Sequence, residues 1–445
     1  MTDVLIIGGG LSGLASAVKL ASEGIRVRLV ERSVRLGGRC YSYKDNATGD
    51  VVDNGQHVLL GAYHNLLHYL DLIQTRHLLM SESKLRLPLY HPEKGFAEFS
   101  IKRLPKPFHL TAGLMSFPLL SMTDRRRMIG IGLELQRLDS KTEDRLKNKS
   151  VDQWLTDHRQ SIAAKKNFWY PIALSVMNEL PERASALLFA RSLNKAFFGT
   201  RFDSAILIPK VGQTELYADG AVDYLRDRHC SVDMNTEVHS LVCEGDRVIG
   251  VRLADGSIVK GSSIISAVPF HGVAKLLPHR LRTAEPFKSL ARFESSPIIS
   301  FHLWFESAFT EIDYVGCIDF NLQWIFNRRK IFGEQERLPL YITAVISGAH
   351  KYINMQKEDL IWLALKDIQQ IFPESRGVRL VHSVIIKERR ATFSATPAVE
   401  FLRPTSETPL RGFYLAGDWT ATGYPATIEG AVLSGFRTAD RIMDR

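Results

Sequence analysis

Residues 3–32 read "DVLIIGGGLSGLASAVKLASEGIRVRLVER", and the fold is decided there. Residues 3–7 are a short apolar run of the kind that makes a buried strand. Gly8, Gly10 and Gly13 follow as G-x-G-x-x-G. Leu14 to Ser22 read as a helix that Gly24 stops, residues 25–30 as a second strand, and Glu31 ends it. Each part has a physical task. Gly8 makes a tight turn, Gly10 lets backbone approach a pyrophosphate, and Gly13 lets the helix pack on the strand. The start of the helix offers free N–H groups and a partial positive charge to phosphates. Glu31 stands 23 residues after Gly8, placed to accept hydrogen bonds from ribose hydroxyls. The unit reads as a βαβ dinucleotide cradle.

Two further motifs flank this reading. After Arg32, the residues Arg35, Gly37, Gly38 and Arg39 form R-x-G-G-R. Its glycines let backbone pass close to a bulky ligand, and its arginines suit phosphate. Residues 412–443, "GFYLAGDWTATGYPATIEGAVLSGFRTADRIM", read as a strand (413–416), a turn holding Gly417 and Asp418, and a helix from about Thr427. Together these motifs resemble the large FAD family of amine oxidases, protoporphyrinogen oxidase and carotenoid desaturases. The resemblance implies FAD, with Arg32, Gly37, Gly38 and Arg39 at the cofactor. It also implies contacts from Asp418 and Gly417 to the ribityl-phosphate part, and from the backbone of Val238 to the adenine. Thr427 and Ile428 would aim helix N–H groups at the flavin pyrimidine edge. No cysteine lies in 412–443, so the FAD is expected to be non-covalent.

The interior supplies the organisation. Residues 230–269 alternate polar and apolar positions between the turn signals "EGD" and "ADG", as a small β-meander does. The expected fold is α/β: a Rossmann-like FAD-binding domain of the second glutathione-reductase type with an interleaved α+β substrate domain. The FAD domain is expected to be discontinuous, at 1–75, 205–275 and 408–445. The substrate domain takes 76–204, which is helix-rich, and 276–407, which holds the strand-like "IISFHLWF" and "PLYITAVIS" and the helix-like "KEDLIWLALKDIQQIF". A ligand cavity between the two is the usual arrangement.

Residues 51–63, "VVDNGQHVLLGAY", narrow the function. Read alone, Asp53-Asn54-Gly55 would make a cheap hairpin turn. Its place beyond R-x-G-G-R puts Asn54, Gly55 and Gln56 beside the flavin ring. With "FWYPIALSVMNELPERAS" (168–185), "IPKVGQTEL" (208–216), "RRATFSATPAVEFLRP" (389–404) and "LAGDWTATGYPATIEGAV" (415–432), it resembles the hydroxysqualene dehydroxylases, squalene-associated FAD enzymes of bacterial hopanoid pathways. Gln213 departs from that pattern, where an apolar residue is expected, and is expected to touch the substrate domain only. The resemblance implies reductive removal of an allylic hydroxyl from a C30 isoprenoid alcohol. Such chemistry calls for an apolar tunnel, a proton donor and exclusion of water. His57 is the first candidate for the acid, because an imidazole titrates near working pH, and Asp53 is the second. Two plainer readings stand beside these: Asp53 caps the turn, and His57 is an interior histidine or orients the flavin. Rival functions are a carotenoid or squalene desaturase, an amine oxidase, and an isoprenoid-binding protein without redox chemistry, like the Rab GDP-dissociation inhibitors. A yellow protein would argue against the last.

The bulk numbers fit. The chain has 445 residues, 45% hydrophobic and 24% charged, with a formal net charge of +9. Spread over this length, that charge reads as solubility rather than nucleic-acid binding. It concentrates in 101–130, where Lys102, Arg103, Lys106, Arg125, Arg126 and Arg127 face Asp124 alone around an apolar stretch. That pattern fits a segment lying at a membrane surface and, equally, a partly buried helix with a solvated basic end. Cys40, Cys230, Cys243 and Cys317 are far apart and form no metal or dithiol motif. The expectation is a cytoplasmic protein with reduced thiols, at the inner membrane face where it touches one. No second dinucleotide motif marks a nicotinamide site, so the external electron donor is left open.

Overall fold

The strand Val4–Ile7 lies at the centre of a five-stranded sheet in the order Ser231–Asp233, Val27–Val30, Val4–Ile7, Ser263–Ser266, Phe413–Leu415. All its pairings are parallel. Parallel strands are covered on both faces, which is why Val4–Ile7 is apolar at every position and buried throughout. The computed structural model describes residues 3–81, 85–101, 108–200 and 202–444. The helix Leu11–Ser22 begins directly after Gly10, earlier than the sequence suggests. It packs on the C-terminal helix Ile428–Met443 with almost no side chain between: a Cβ on Gly435 would lie 2.4 Å from the Ser12 carbonyl oxygen. The Ser16 hydroxyl donates to the Gly435 carbonyl at 3.0 Å.

The meander forms as Val238–Glu244, Arg247–Leu253 and Ile258–Lys260, antiparallel throughout. A larger, mostly antiparallel sheet of seven strands is ordered Leu380–Phe393, Ser295–Phe305, Leu340–Ser347, Trp324–Asn327, Tyr314–Cys317, Arg86–His91, Gly95–Ser100. Its last two strands are a hairpin from the insertion read as helix-rich. One face of this sheet packs Ile299, Phe301, Leu303, Ile342, Ala344 and Ile346 against Leu360, Ala364 and Ile368 of the helix Lys357–Ile371. Alternation turns Ser300, His302, Trp304, Tyr341 and Thr343 to the other face. There Trp304 and Tyr341 stack, 4.3 Å between centroids, against buried Val52. Leu59–Leu60 and Leu79–Ser81 both pair with Ile206–Pro209. We propose this small sheet as the seam between the FAD-binding and substrate parts of the chain.

Two consecutive arginines join the large sheet to the strand Val51–Asp53. Arg329 holds Asp50 through both nitrogens, at 2.7 Å each, and Trp304 Nε1 donates to the same carboxylate at 2.7 Å. Arg328 Nη2 lies 2.8 Å from Asp53 Oδ2. All four charged groups are 3% exposed or less. Burial alone would raise the Asp50 carboxyl, but the hydrogen bonds from Arg329 and Trp304 outweigh it and hold the group below its ordinary value.

Removing Asp50 would leave buried Arg329 with only the half-exposed Glu334 as countercharge among the described residues, 2.9 Å from Nη1. Asp50→Ala is therefore expected to cost about 2–3 kcal/mol in urea unfolding at neutral pH, below the roughly 3–5 kcal/mol of a fully stranded charge. The folded pKa of Asp50 is depressed, so its contribution is present above the ordinary carboxylate range of roughly 4 and is lost as pH falls through the folded value. The gap between variant and parent should narrow in acid; a gap independent of pH would contradict the ion-pair assignment.

Candidate flavin site

The glycine turn is built as the spacing predicts. A Cβ on Gly13 would sit 2.0 Å from the Gly8 carbonyl oxygen, so only glycine lets the helix start this close to the strand. Gly10 and Gly37 bridge. Gly38, at φ +63°, brings its backbone so near that its Cβ would lie 3.0 Å from the Gly10 Cα. Two backbone segments thus converge on the N-terminus of the helix Leu11–Ser22. The Glu31 carboxylate accepts from the Gly9 N–H at 2.7 Å and the Ser33 N–H at 2.8 Å. Arg32 beside it is exposed. The Glu31 carbonyl accepts from the Thr236 N–H at 2.8 Å, which brings Val238 alongside.

The arginines of R-x-G-G-R are engaged within the protein. Arg35 lies over the rings of Tyr41 and Tyr43. Arg39 Nη2 donates to Asp418 Oδ1 at 2.8 Å and Nη1 to the Ala391 carbonyl at 2.6 Å. Two residues expected at the cofactor from opposite ends of the chain are therefore paired with each other. Gly417 follows the strand Phe413–Leu415, and its N–H donates to Ser434 Oγ at 3.0 Å. Thr427 caps the helix Ile428–Met443, accepting from the Gly430 N–H at 3.1 Å. Buried Glu429 in the first turn accepts from the N–H groups of Asn65 and Leu66, capping the helix His64–Leu72.

The Asp53–His57 segment lies between these parts and the large sheet. Asp53 accepts from the Gln213 N–H at 3.0 Å and faces Arg328. Burial raises its pKa, opposed but not cancelled by Arg328. Asn54 Nδ2 donates to the Arg39 carbonyl at 3.0 Å. Gln56 Oε1 accepts from Arg328 Nη1 at 2.7 Å. Gln213 Nε2 donates to the Gly55 carbonyl. The expectation that Gln213 touches the substrate domain only is thus corrected: its backbone and side chain hold Asp53 and Gly55. Burial, reinforced by the Arg39 charge, brings the His57 pKa down to about 4, so the ring is neutral at working pH. His57 faces Tyr217, 6.1 Å between centroids, which rides on the π-helical turn Glu215–Asp219.

Among the described residues, Asn54 Oδ1, His57 Nδ1, Gln213 Oε1 and the Tyr217 hydroxyl are buried without a hydrogen-bond partner. Each such atom costs about 1–3 kcal/mol in isolation. Asn54 and His57 belong to one short segment, Gln213 holds that segment and Tyr217 faces His57, and a planar ring bearing carbonyls and N–H groups would complete their bonds. These residues fit FAD. Arg328, His302 and Tyr217 border the 53–57 segment without having been singled out by any motif.

Glu31→Ala removes an acceptor held by two backbone N–H groups. It should weaken FAD retention roughly tenfold or more, by the worth of a charged hydrogen bond, read as the flavin-to-protein absorbance ratio after dialysis. An unchanged ratio would remove Glu31 from the cofactor site.

The profile of the family described as "Flavin containing amine oxidoreductase" matches residues 11–443. A hydroxysqualene dehydroxylase of Rhodopseudomonas palustris is 30% identical over 452 residues, covering 99% of this chain and 98% of that protein. A 15-cis-phytoene desaturase of Synechococcus elongatus is 27% identical, covering 99% and 96%. Among solved structures, an oxidoreductase from Methanosarcina mazei superposes with a TM-score of 0.76 at 18% identity, covering 100% of both chains. Putrescine oxidase bound to putrescine superposes at 0.75 and 18%, covering 100% of this chain and 99% of that one. The chain belongs to the flavin containing amine oxidoreductase family, and FAD is its cofactor.

Proposed function

We propose that this enzyme reduces hydroxysqualene to squalene in hopanoid or other isoprenoid biosynthesis. The observation that carries the reading is the 30% identity to a hydroxysqualene dehydroxylase over almost the full length of both chains. The overall change is R–OH plus reduced flavin (FADH2) to R–H, water and FAD, so bound cofactor would have to be reduced before it supplies the two electrons and two protons. Gly8, Gly10 and Gly13 receive the pyrophosphate and Glu31 the ribose, with Arg32 and Val238 by the adenosine. Gly37, Gly38, Arg39, Gly417 and Asp418 close over the middle of the cofactor. Thr427 and Ile428 present the helix start to the pyrimidine edge, and Asn54, Gly55 and Gln56 border the ring. His57, neutral and with Nδ1 unpartnered, orients the ring by hydrogen bonding rather than delivering a proton from an imidazolium. Asp53 fixes the segment through Arg328 and Gln213. The apolar cluster that includes Leu89, Phe99, Phe168, Trp169, Tyr314 and Phe326 supplies a dry wall for a hydrocarbon.

A second reading is a carotenoid or squalene desaturase, favoured by the 27% identity to phytoene desaturases. The two run electrons in opposite directions. Photoreduced enzyme mixed anaerobically with hydroxysqualene should form squalene as its flavin reoxidises. Flavin that stays reduced, with no squalene formed, would sink the dehydroxylase reading.

We also propose peripheral contact with an anionic membrane through residues 108–130, the part of the basic segment that can be described. Lys102, Arg103 and Lys106 lie outside the described residues. No described helix is long and apolar enough to cross a membrane. Arg125 donates to the carbonyls of Met115 and Phe117, and Arg127 to that of Arg159. Arg126 remains exposed, near exposed Met115 and Met122. Arg126→Ala should lower partitioning onto phosphatidylserine vesicles about fivefold at low salt, the worth of one surface cation. Unchanged partitioning would remove the contact.

A further inference from the structure

The inner face of the seven-stranded sheet buries polar groups that its outer face avoids. His302 stands opposite Thr343, and Thr343 opposite Phe326. Asn327 pairs with Ile342, so Arg328 leaves the sheet beside them. His302 and Arg328 are each 1% exposed and Thr343 is 3% exposed. His302 Nδ1 is 2.6 Å from the Tyr341 hydroxyl, and the ring's other side faces the Asp53 backbone with Nε2 outside ideal hydrogen-bond geometry. Thr343 Oγ1 meets no partner among the described residues. Arg328 places Nη1 on Gln56 and Nη2 against Asp53, and its Nε–H meets no acceptor.

Unpartnered buried groups destabilise a sheet, and Ile, Ala and Phe on the outer face show that apolar residues were open to it. The cost is accepted where a ligand completes the bonds. The chemistry of the groups identifies the ligand atom. Arg328 can only donate. Burial and the nearby Arg328 charge bring the His302 pKa down to about 3, so its ring is neutral. Neutral imidazole and the Thr343 hydroxyl each offer one accepting and one donating role. A hydroxyl can use both roles, accepting from the guanidinium and donating to the imidazole or to Thr343, whereas a carbonyl could only accept and an ammonium is repelled by Arg328. The neighbouring Phe326 is apolar and buried, so the rest of the molecule is hydrocarbon.

We infer that Arg328, with His302 and Thr343, forms the subsite that holds the hydroxyl of an apolar alcohol. It deepens the dehydroxylase reading and rests on it. The test uses oxidised holoenzyme, in which no reduction can occur, titrated with hydroxysqualene and with squalene while the flavin absorbance is followed. Wild type should bind the alcohol at least tenfold more tightly. Arg328→Met, compared with wild type at equal flavin loading, should bind both alike. Because that variant strands Asp53, the double variant Asp53→Asn/Arg328→Met keeps the charge balanced and should behave the same way. Thr343→Val leaves the ion pair intact and should lose several-fold of the preference. Two results would overturn the subsite: a tenfold preference surviving in any folded, flavin-loaded Arg328 variant, or wild type without a preference. Loss of FAD with both affinities falling together would assign Arg328 to flavin positioning and equally overturn it. If photoreduced wild type makes no squalene while the binding preference holds, the dehydroxylase reading fails alone.

Discussion

The two aspartate–arginine pairs, Asp50 with Arg329 and Asp53 with Arg328, are what the rest of the architecture depends on. Four charges at 3% exposure or less are costly to bury. They are tolerable because Asp50 sits on the two-nitrogen fork of Arg329, Asp53 meets Arg328 Nη2, and the carboxylates collect further N–H groups from Trp304 and Gln213. Their positions matter more than their net energy. The aspartates bracket the strand Val51–Asp53, the arginines open the short helix Arg328–Ile331, and the segment running on to His57 is stretched between them. A charged group tolerates much less misplacement than an apolar contact, so the pairs set where the 53–57 segment lies against the large sheet.

The same logic of distant partners runs through the cofactor cradle. Asp418 meets Arg39 across 379 residues of chain, and Glu429 caps a helix that starts 365 residues earlier with His64. Gly435 and Ser16 lock the first and last helices together. Each contact joins the N-terminal cradle to the C-terminal strand-turn-helix, so neither is complete alone.

The parts legible in the sequence are those whose physics is local. Gly8 to Glu31 spans one βαβ unit, and every residue's task follows from its neighbours. The meander was legible for the same reason, since Gly245 and Gly256 take the positive φ that their turns need. The site's other half was not. Arg328-Arg329 looks like solvated charge until two aspartates from another part of the chain are brought to it. His302 and Thr343 face the site only because of the register between two strands and the choice of sheet face. His57 was visible, but its titration depends on burial, which spacing does not reveal. Gln213 was noticed as a departure and misplaced, because its meaning lies in the Asp53 and Gly55 it touches.

The order of strands in the parallel sheet has a consequence for synthesis. Val4–Ile7 is made before the other strands of its sheet, yet one of its neighbours is Ser263–Ser266, and that strand's other neighbour is Phe413–Leu415. The strand with the most apolar sequence must therefore wait for some 250 further residues before its second edge is covered, and the sheet is closed only when the final helix arrives. Loop closure over such distances is slow, and exposed apolar strands associate with one another meanwhile. Yield of soluble protein should then depend on translation speed and chaperone supply more than on the stability of the finished fold.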